Sequence, residues 1–189
     1  MSYLRRRKRA TRTSAEPAQR VPHAFALTLA ADDRVAYIDL DAHQRNGVAR
    51  VFFDDPRVFL FDVYNEQIYP HDVYARRRID HDLPIPGGYD DQRYLSLLRA
   101  ELPAFLDGIS KSRRPALAVY NAGTDVLAGD PLGNLRVSAD GVLARDQFVL
   151  NQLTDRGIPW VMLPSGGYTR DSYRLLARTT AWALRRWPA

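Results

Sequence analysis

The sequence contains no cysteine among its 189 residues. Disulfide bridges and cysteine-ligated zinc sites are therefore excluded. Any metal ion bound by this chain has to be held by aspartate, glutamate or histidine side chains, and histidine occurs only four times.

Long apolar runs are also missing. No stretch approaches the roughly 20 consecutive apolar residues that cross a bilayer, so we expect no membrane segment and no membrane partner. The N-terminal basic segment lacks the apolar stretch of a signal peptide, and we expect a cytoplasmic location by default.

Outside the N-terminus, the sequence has almost no net charge. The whole chain carries +5, but residues 1–20 hold seven basic residues and one glutamate, which leaves a net charge of −1 for residues 21–189. Few apolar residues and no periodicity predict a disordered basic tail over residues 1–22, which could bind polyanions without sequence preference. Residues 23–189 have room for a single domain with a full core.

Hydrophobic periodicity in residues 23–189 predicts strands that alternate with helices. This order is typical of an α/β fold whose parallel sheet is covered by helices on both faces. We expect residues 64–78 to form a structured surface loop with an exposed His71, and Pro103 to kink or split the third helix. Strands are predicted at 34–40, 58–63, 80–85, 116–120 and 160–163, and helices at 23–31, 48–53, from 92 to about 109, from 138 to before Gly157, and at 173–187.

Chemically capable side chains follow three of the predicted strands. Asp39, Asp41 and His43 alternate along an extended path after the first strand, so they point the same way. Asp125 follows the strand at 116–120, and Tyr168 follows the strand at 160–163 after two glycines. Because sites in parallel sheets lie outside the carboxyl ends of the strands, we expect these residues to line one crevice, and the first group suits a metal ion.

Two other interpretations of the first strand remain open at this point. The stretch could be a strand that ends in an aspartate-rich turn without a site. An apolar strand that ends in Asp39-x-Asp41 is also the nucleophile motif of haloacid dehalogenase-type phosphohydrolases. Against this second interpretation, His43 replaces the usual hydroxyl residue, and the only lysines in the sequence are Lys8 and Lys111.

Four segments together resemble the zinc-dependent histone deacetylase superfamily, and most of all its class IV branch and bacterial relatives. The resemblance covers roughly residues 34–184 and keeps the family's motif order and spacing. The motifs are Ile38-Asp-Leu-Asp-Ala-His-Gln44, Asp62-Val-Tyr-Asn65 with Ile68-Tyr-Pro70, Tyr120-Asn-Ala-Gly-Thr-Asp125 and Ser165-Gly-Gly-Tyr168.

The resemblance implies a fold, an activity and roles for individual residues. The implied fold is a three-layer α/β/α domain of the arginase/deacetylase type that lacks the N-terminal part of the sheet. The implied activity is zinc-dependent hydrolysis of an acylated lysine or a small acylated amine. The implied site consists of the zinc ligands Asp41, His43 and Asp125, of Tyr168 as hydrogen-bond donor to the substrate carbonyl oxygen, and, more weakly, of Asp39 and Asp62 at a monovalent cation such as K⁺.

The sequence departs from the family pattern in two places. The family's general base comes from two adjacent histidines in the upstream half of the domain, and this sequence has no His-His pair. Arg45 stands where relatives usually have glycine, which would be awkward if the backbone needs a positive φ and would bring positive charge near the metal. Asn46, which should orient one of those histidines, is then expected to lack its partner.

Three functions therefore follow from the sequence. They are a zinc-dependent deacylase, a truncated homologue that binds metal but is catalytically impaired, and a polyanion-binding protein that works through its basic tail. In the strand arrangement that the resemblance implies, the strand at 160–163 lies between the strand at 116–120 and a strand of the upstream half, so we expect it to lack this second neighbour. We therefore expect the chain to self-associate or to require an upstream half-domain.

Overall fold

A computed structural model describes residues 32–187 of the chain. The predicted basic tail at 1–22 and the predicted helix at 23–31 lie outside the described residues. From residue 32 onward, strands and helices alternate. The elements are β1 (Val35–Asp39), α1 (Asn46–Val51), β2 (Val58–Asn65), α2 (Val73–Arg76), β3 (His81–Ile85), α3 (Asp91–Ser110), β4 (Leu117–Ala122), α4 (Ala139–Asp155), β5 (Trp160–Pro164) and α5 (Ser172–Arg186).

The five strands form a single sheet in the order β3-β2-β1-β4-β5, and every neighbouring pair is parallel. This confirms the predicted α/β fold. Sheet order reverses between β1 and β4, because the chain moves outward to β2 and β3 on one side and to β4 and β5 on the other. The carboxyl ends of β1 and β4 therefore flank the crevice where α/β proteins place their sites.

Alternation along β1 divides the core into two layers. Ala36 and Ile38 pack with the buried faces of α3 and α4, whereas Val35 and Tyr37 pack with α1 and α2 on the opposite face. β1 is buried along its whole length because helices cover both faces of the sheet there.

Helix α3 differs from the prediction at Pro103. The helix runs without interruption from Asp91 to Ser110, so the expected division into two helices is wrong. Asp90 caps its first turn by accepting a hydrogen bond from Arg93 N (3.0 Å). Leu102 and Leu106 on either side of the proline are fully buried, and this packing holds the helical path despite the missing N–H group.

The segment predicted as a loop at 64–78 is more regular than expected. β2 continues to Asn65, and the short helix α2 begins after Asp72, whose side chain accepts a hydrogen bond from Ala75 N (3.0 Å). His71 is exposed, as predicted.

β5 forms one edge of the sheet over the described residues. It pairs with β4 there, and Val161 on β5 keeps 40% of its surface exposed. No helix among residues 32–187 is both long enough and apolar enough to cross a membrane.

Candidate metal centre

Asp41, His43 and Asp125 meet at the crevice between the carboxyl ends of β1 and β4. His43 Nδ1 lies 3.1 Å from Asp41 Oδ1 and 2.9 Å from Asp125 Oδ2. One possible ligand atom from each residue falls within 4.8 Å of the others. Donors at zinc bond lengths of about 2.0 Å in a tetrahedral arrangement are separated by about 3.3 Å, so the three side chains fit a zinc ion.

The loops after β1 and β4 contact each other through their backbones. Ala42 N donates a hydrogen bond to Asp125 Oδ1 (2.8 Å), which fixes one ligand against the chain that carries the other two. At Gly123, an added Cβ atom would lie 2.5 Å from the Cα atom of Asp41. This close approach requires glycine and brings the two carboxylates together.

The loop after β5 closes the centre from a third side. Ser165 Oγ and Gly166 N both donate hydrogen bonds to Asp41 Oδ2, at 2.7 and 2.9 Å. A Cβ atom at Gly166 would overlap Asp125 Oδ2 and lie 2.6 Å from Asp41 Oδ2. The glycine therefore allows the backbone to touch both carboxylates.

Tyr168 lies at the open side of the centre. Its side chain is 53% exposed, and its ring meets that of His43 edge to face with centroids 6.1 Å apart. Tyr168 N donates a hydrogen bond to Asp130 Oδ2 (2.8 Å), while Asp130 Oδ1 accepts hydrogen bonds from Leu132 N and Gly133 N. Asp130 thus ties the Tyr168 backbone to the loop after β4.

Burial, hydrogen bonds and a nearby charge shift the pKa values of the three residues of the centre in different directions. Hydrogen bonds to Asp125 and Asp41 raise the pKa of His43 to about 10. Burial raises the pKa of Asp125. Burial acts in the same direction on Asp41, but hydrogen bonds from His43 and the charge of Arg45 lower the pKa of Asp41 below its usual range. Both carboxylates therefore favour the protonated form of His43.

Arg45 places its guanidinium beside the centre, as the sequence predicted. Its Nε donates to Asp39 Oδ2 (2.5 Å), and its Nη2 lies 3.1 Å from Asp41 Oδ2 and donates to Ser165 Oγ (2.8 Å). The condition under which Arg45 would be awkward, a positive φ, is not met, because Arg45 stands at the N-cap position of α1 with φ −81° and ψ 61°. Since Asp39 is buried and paired with this arginine, it is not available as the nucleophile of a phosphohydrolase.

The side chain of Asn46 pairs with an aspartate in place of the histidine that the resemblance implies. Its Nδ2 donates a hydrogen bond to Asp72 Oδ2 (3.3 Å), and Arg50 Nε donates to the same oxygen (2.7 Å). Asn46 in α1 is therefore hydrogen-bonded to Asp72, the residue that caps α2, and this bond joins the two helices.

The other described histidines have different surroundings. His81 Nε2 hydrogen bonds with Glu101 Oε2 (2.8 Å), and its ring stacks on Phe61. His71 lies in the exposed segment before α2. Over residues 32–187, His43 is the histidine that contacts the two carboxylates, and His23 lies outside these residues.

Two residues that support the centre were missed by the sequence analysis. Arg145 on α4 is fully buried, and its Nη1 donates to the carbonyl oxygens of Leu40 (3.0 Å) and Gly123 (2.6 Å). In the sequence, Arg145 could have been recognised as a charged residue on the predicted buried face of an amphipathic helix. Asp130 stands in Asp130-Pro-Leu-Gly133, whose turn composition indicated a structured loop.

The matching family model and two of the individual relatives to which this chain is similar carry the name histone deacetylase. Residues 23–184 match the histone deacetylase domain model. "Histone deacetylase 2" of Arabidopsis thaliana is 44% identical over 153 residues, which cover 81% of this chain and 38% of the plant protein. "Histone deacetylase RPD3" of Saccharomyces cerevisiae is 30% identical over 154 residues, which cover 77% of this chain and 33% of the yeast protein.

Solved structures with low sequence identity share the fold. The acetylpolyamine aminohydrolase of Burkholderia pseudomallei superposes with a TM-score of 0.65 at 23% identity, covering 79% of this chain and 44% of that protein. The histone deacetylase Clr3 also gives a TM-score of 0.65 at 23% identity. The chain thus spans less than half the length of each of these relatives. The family model nevertheless covers most of the described fold and its candidate centre, and the chain belongs to the histone deacetylase superfamily.

Proposed function

We propose that this chain carries the zinc-binding part of a deacylase that hydrolyses the amide bond of an acylated lysine or a small acylated amine. Asp41, His43 and Asp125 are the proposed zinc ligands, and Tyr168 is the proposed catalytic hydrogen-bond donor. The observation that carries the proposal is the convergence of an imidazole nitrogen and two carboxylates at the switch point of a sheet from this superfamily.

The residue types suit this chemistry. Zinc held by three protein ligands supplies Lewis-acid catalysis of amide hydrolysis. The two carboxylates offset the charge of the ion, and hydrogen bonds from Ser165 and Gly166 orient Asp41. Tyr168 as a residue is 53% exposed, and its hydroxyl is the group proposed to stabilise negative charge on the carbonyl oxygen.

Proton transfer is the weak part of the proposed site. Amide hydrolysis needs a group that accepts a proton from water and one that protonates the leaving amine, and such assistance contributes about 10² to 10⁴ in rate. His71 and His81 do not contact the centre in the described structure. We therefore propose that the isolated chain binds zinc but turns over amides poorly, as the alternative of an impaired homologue implies.

Zinc binding is tested first by calorimetric titration of the parent and of Asp125→Ala. We expect the variant to bind zinc at least tenfold more weakly, because it lacks one of the three ligands. Asp140→Ala is the matched control, since the Asp140 side chain is 88% exposed and paired with Arg178, and it should bind zinc as the parent does. Equal affinity of the parent and Asp125→Ala would refute the ligand assignment.

Activity is tested with two substrates of different leaving groups. The purified chain should show no measurable hydrolysis of an acetyl-lysine peptide and a slow, chelator-sensitive hydrolysis of an activated ester, because a good leaving group needs little acid assistance. Tyr168→Phe should slow ester hydrolysis, by up to about 10² to 10³ if the hydroxyl acts as the oxyanion donor. Robust deacetylation of the peptide would show that another residue transfers the proton, with His23 and His71 the first to substitute.

The finer points from the resemblance are part of this proposal. They are the likeness to class IV deacetylases and association with a second copy or with an upstream half-domain. A cytoplasmic location is proposed only by default, from the composition. Polyanion binding by residues 1–22 stays a prediction from their charge.

A further inference from the structure

The guanidinium of Arg45 is surrounded by polar groups of the first strand's carboxyl end. The Arg45 side chain is 16% exposed, and the Asp39 and Asp41 side chains it contacts are 1% and 5% exposed. Its two contacts to carboxylates are ion pairs, and the third is a hydrogen bond to Ser165 Oγ. A buried carboxylate needs a compensating positive charge, and here the chain supplies one itself.

Donors of the chain itself occupy most of the acceptor positions of Asp39. Its Oδ1 accepts hydrogen bonds from Asp41 N (3.1 Å) and Asn121 Nδ2 (2.9 Å) and a longer one from Arg45 Nη2 (3.4 Å), and its Oδ2 accepts from Arg45 Nε. A carboxylate offers about four acceptor positions in all. The monovalent cation that the family resemblance implies at Asp39 therefore does not fit this chain.

The volume available beside Asp39 also argues against a bound monovalent cation. Arg45 N donates to Asp62 Oδ2 (3.0 Å), so the arginine contacts both aspartates of the implied ion site. The cavity that adjoins Asp39, Arg45 and Asp62 has a volume of about 10 Å³. This volume is at the lower limit for one water molecule, which would also serve the buried Asp62 Oδ1, an atom without a hydrogen-bond partner in the structure.

We propose that the guanidinium of Arg45 is a built-in cation that replaces the monovalent ion at Asp39. The fold of this chain is then independent of K⁺. The same guanidinium contacts the oxygen of Asp41 that also accepts from Ser165 and Gly166, so Arg45 positions a proposed zinc ligand. This last consequence rests on the proposed function, whereas independence from K⁺ does not.

The test measures the melting temperature of the zinc-free protein in KCl and in choline chloride of equal ionic strength. The parent should melt at the same temperature in both salts. Arg45→Ala should melt several degrees lower in choline chloride and recover in KCl with a saturable dependence on K⁺, because the emptied space beside Asp39 then accepts the ion. Arg50→Ala is the matched control, since Arg50 is 53% exposed and pairs with Asp72, and it should show no difference between the salts.

Two results would overturn the proposal. A saturable rise in the melting temperature of the parent with K⁺ would show that an ion binds beside Arg45. A folded Arg45→Ala that responds equally to both salts would show that the guanidinium does not fill an ion site. Arg45→Gln, which removes the charge but keeps a polar side chain, gives the same comparison if Arg45→Ala does not fold, and the parent titration decides if neither variant folds.

Zinc titrations of the parent in the two salts separate this proposal from the previous one. Equal zinc affinity in KCl and choline chloride is expected. Absence of zinc binding in both salts would refute the proposed function but would leave the comparison of melting temperatures intact.

Discussion

Gly166 is a residue of the candidate centre at which no side chain fits. Its backbone nitrogen donates to Asp41, and its Cα carries no side chain where a methyl group would meet both Asp41 and Asp125. Close contact between the backbone and two carboxylates requires glycine because any Cβ atom would separate them.

We predict that Gly166→Ala lowers zinc affinity by at least tenfold and destabilises the fold by about 1–3 kcal/mol, since the added methyl group has to displace two packed ligands. Gly108→Ala is the matched control. A Cβ atom at Gly108 on α3 meets no atom within 4 Å, so this substitution should leave zinc affinity unchanged and stability equal or slightly higher. Calorimetric titration and thermal melting of both variants measure these effects, and normal zinc binding by Gly166→Ala would contradict the observed packing.

The sequence predicted the three proposed ligands but not their surroundings. The convergence of Asp41, His43 and Asp125 was expected from strand alternation and strand ends, which are local features, whereas their role as zinc ligands came from the family resemblance. The contacts Arg45–Asp39 and Asn46–Asp72 depend on the three-dimensional paths of the loops that bring these residues together. The second pair is separated by 26 residues, and neither residue type nor spacing indicates such a contact.

Among the elements, α4 joins the two loops that carry the proposed ligands. Arg145 donates to the carbonyl oxygens of Leu40 and Gly123, which come shortly before Asp41 and Asp125. Its Nε donates to Asp146 Oδ1 (2.9 Å), and Asp146 also accepts hydrogen bonds from the hydroxyls of Tyr120 (2.5 Å) and Thr179 (2.6 Å). The helix therefore connects β4, α5 and both loops through one buried polar network.

We predict that Arg145→Met destabilises the protein by about 3–5 kcal/mol, because Asp146 and two carbonyl oxygens remain buried without their partner. Arg156→Met at the end of the same helix is the control. Its ion pair with Asp107 is partly exposed, so we expect a loss of no more than about 1 kcal/mol. Urea denaturation measures both losses, and similar midpoints for the two variants would show that the buried network contributes little.

Helix α3 contains a proline whose replacement should stabilise the protein. Pro103 lies in the helix interior, where it removes a hydrogen bond at a cost of up to about 3 kcal/mol. We therefore expect Pro103→Ala to raise the melting temperature. The exposed neighbour Ala104→Gly should lower it by an amount equivalent to about 1 kcal/mol, which verifies that this turn is helical. A lower melting temperature for Pro103→Ala would show that the proline relieves a local conflict.

The elements themselves were largely predictable. Four of the strands and the long helices have clear apolar patterns, whereas β3 gave only a weak signal and α2, with four residues, gives none. Of the two outcomes predicted at Pro103, a kink or a division of the helix, the division does not occur, because buried neighbours hold the helix together. Arg145 was passed over because a charged residue on an apolar helix face is recognised only when its partners are known.

For the molecule as a whole, the sheet ends at β5 over the described residues. Val161 and Leu163 point to the face covered elsewhere by α1 and α2, and Val161 is 40% exposed. An apolar edge strand presents backbone groups that can pair with another strand. This is the expected place for a second copy or an upstream half-domain.

We predict that the purified chain self-associates in a concentration-dependent manner and that Val161→Lys weakens this association, because a charged side chain opposes pairing at the edge. Val73→Lys is the control, since Val73 is 72% exposed on α2 and lies away from this edge. Sedimentation velocity measures the association. A stable monomer of the parent at high concentration would contradict the prediction.

The arrangement of the whole sheet explains why a site exists at this position. β1 and β4 are neighbours at the point where sheet order reverses, so the loops after them diverge and leave room for the loop after β5. Strand alternation predicted the residues, but the strand order that brings them together depends on crossovers that the periodicity does not specify.

We expect one zinc ion to bind where Asp41, His43 and Asp125 meet. A crystal structure of the chain grown with zinc, with anomalous data recorded at the zinc absorption edge, tests it most directly. We predict one strong anomalous peak at about 2.0–2.2 Å from His43 Nδ1 and from a carboxylate oxygen of each aspartate. A crystal with zinc at other positions and none among these three side chains would contradict the account.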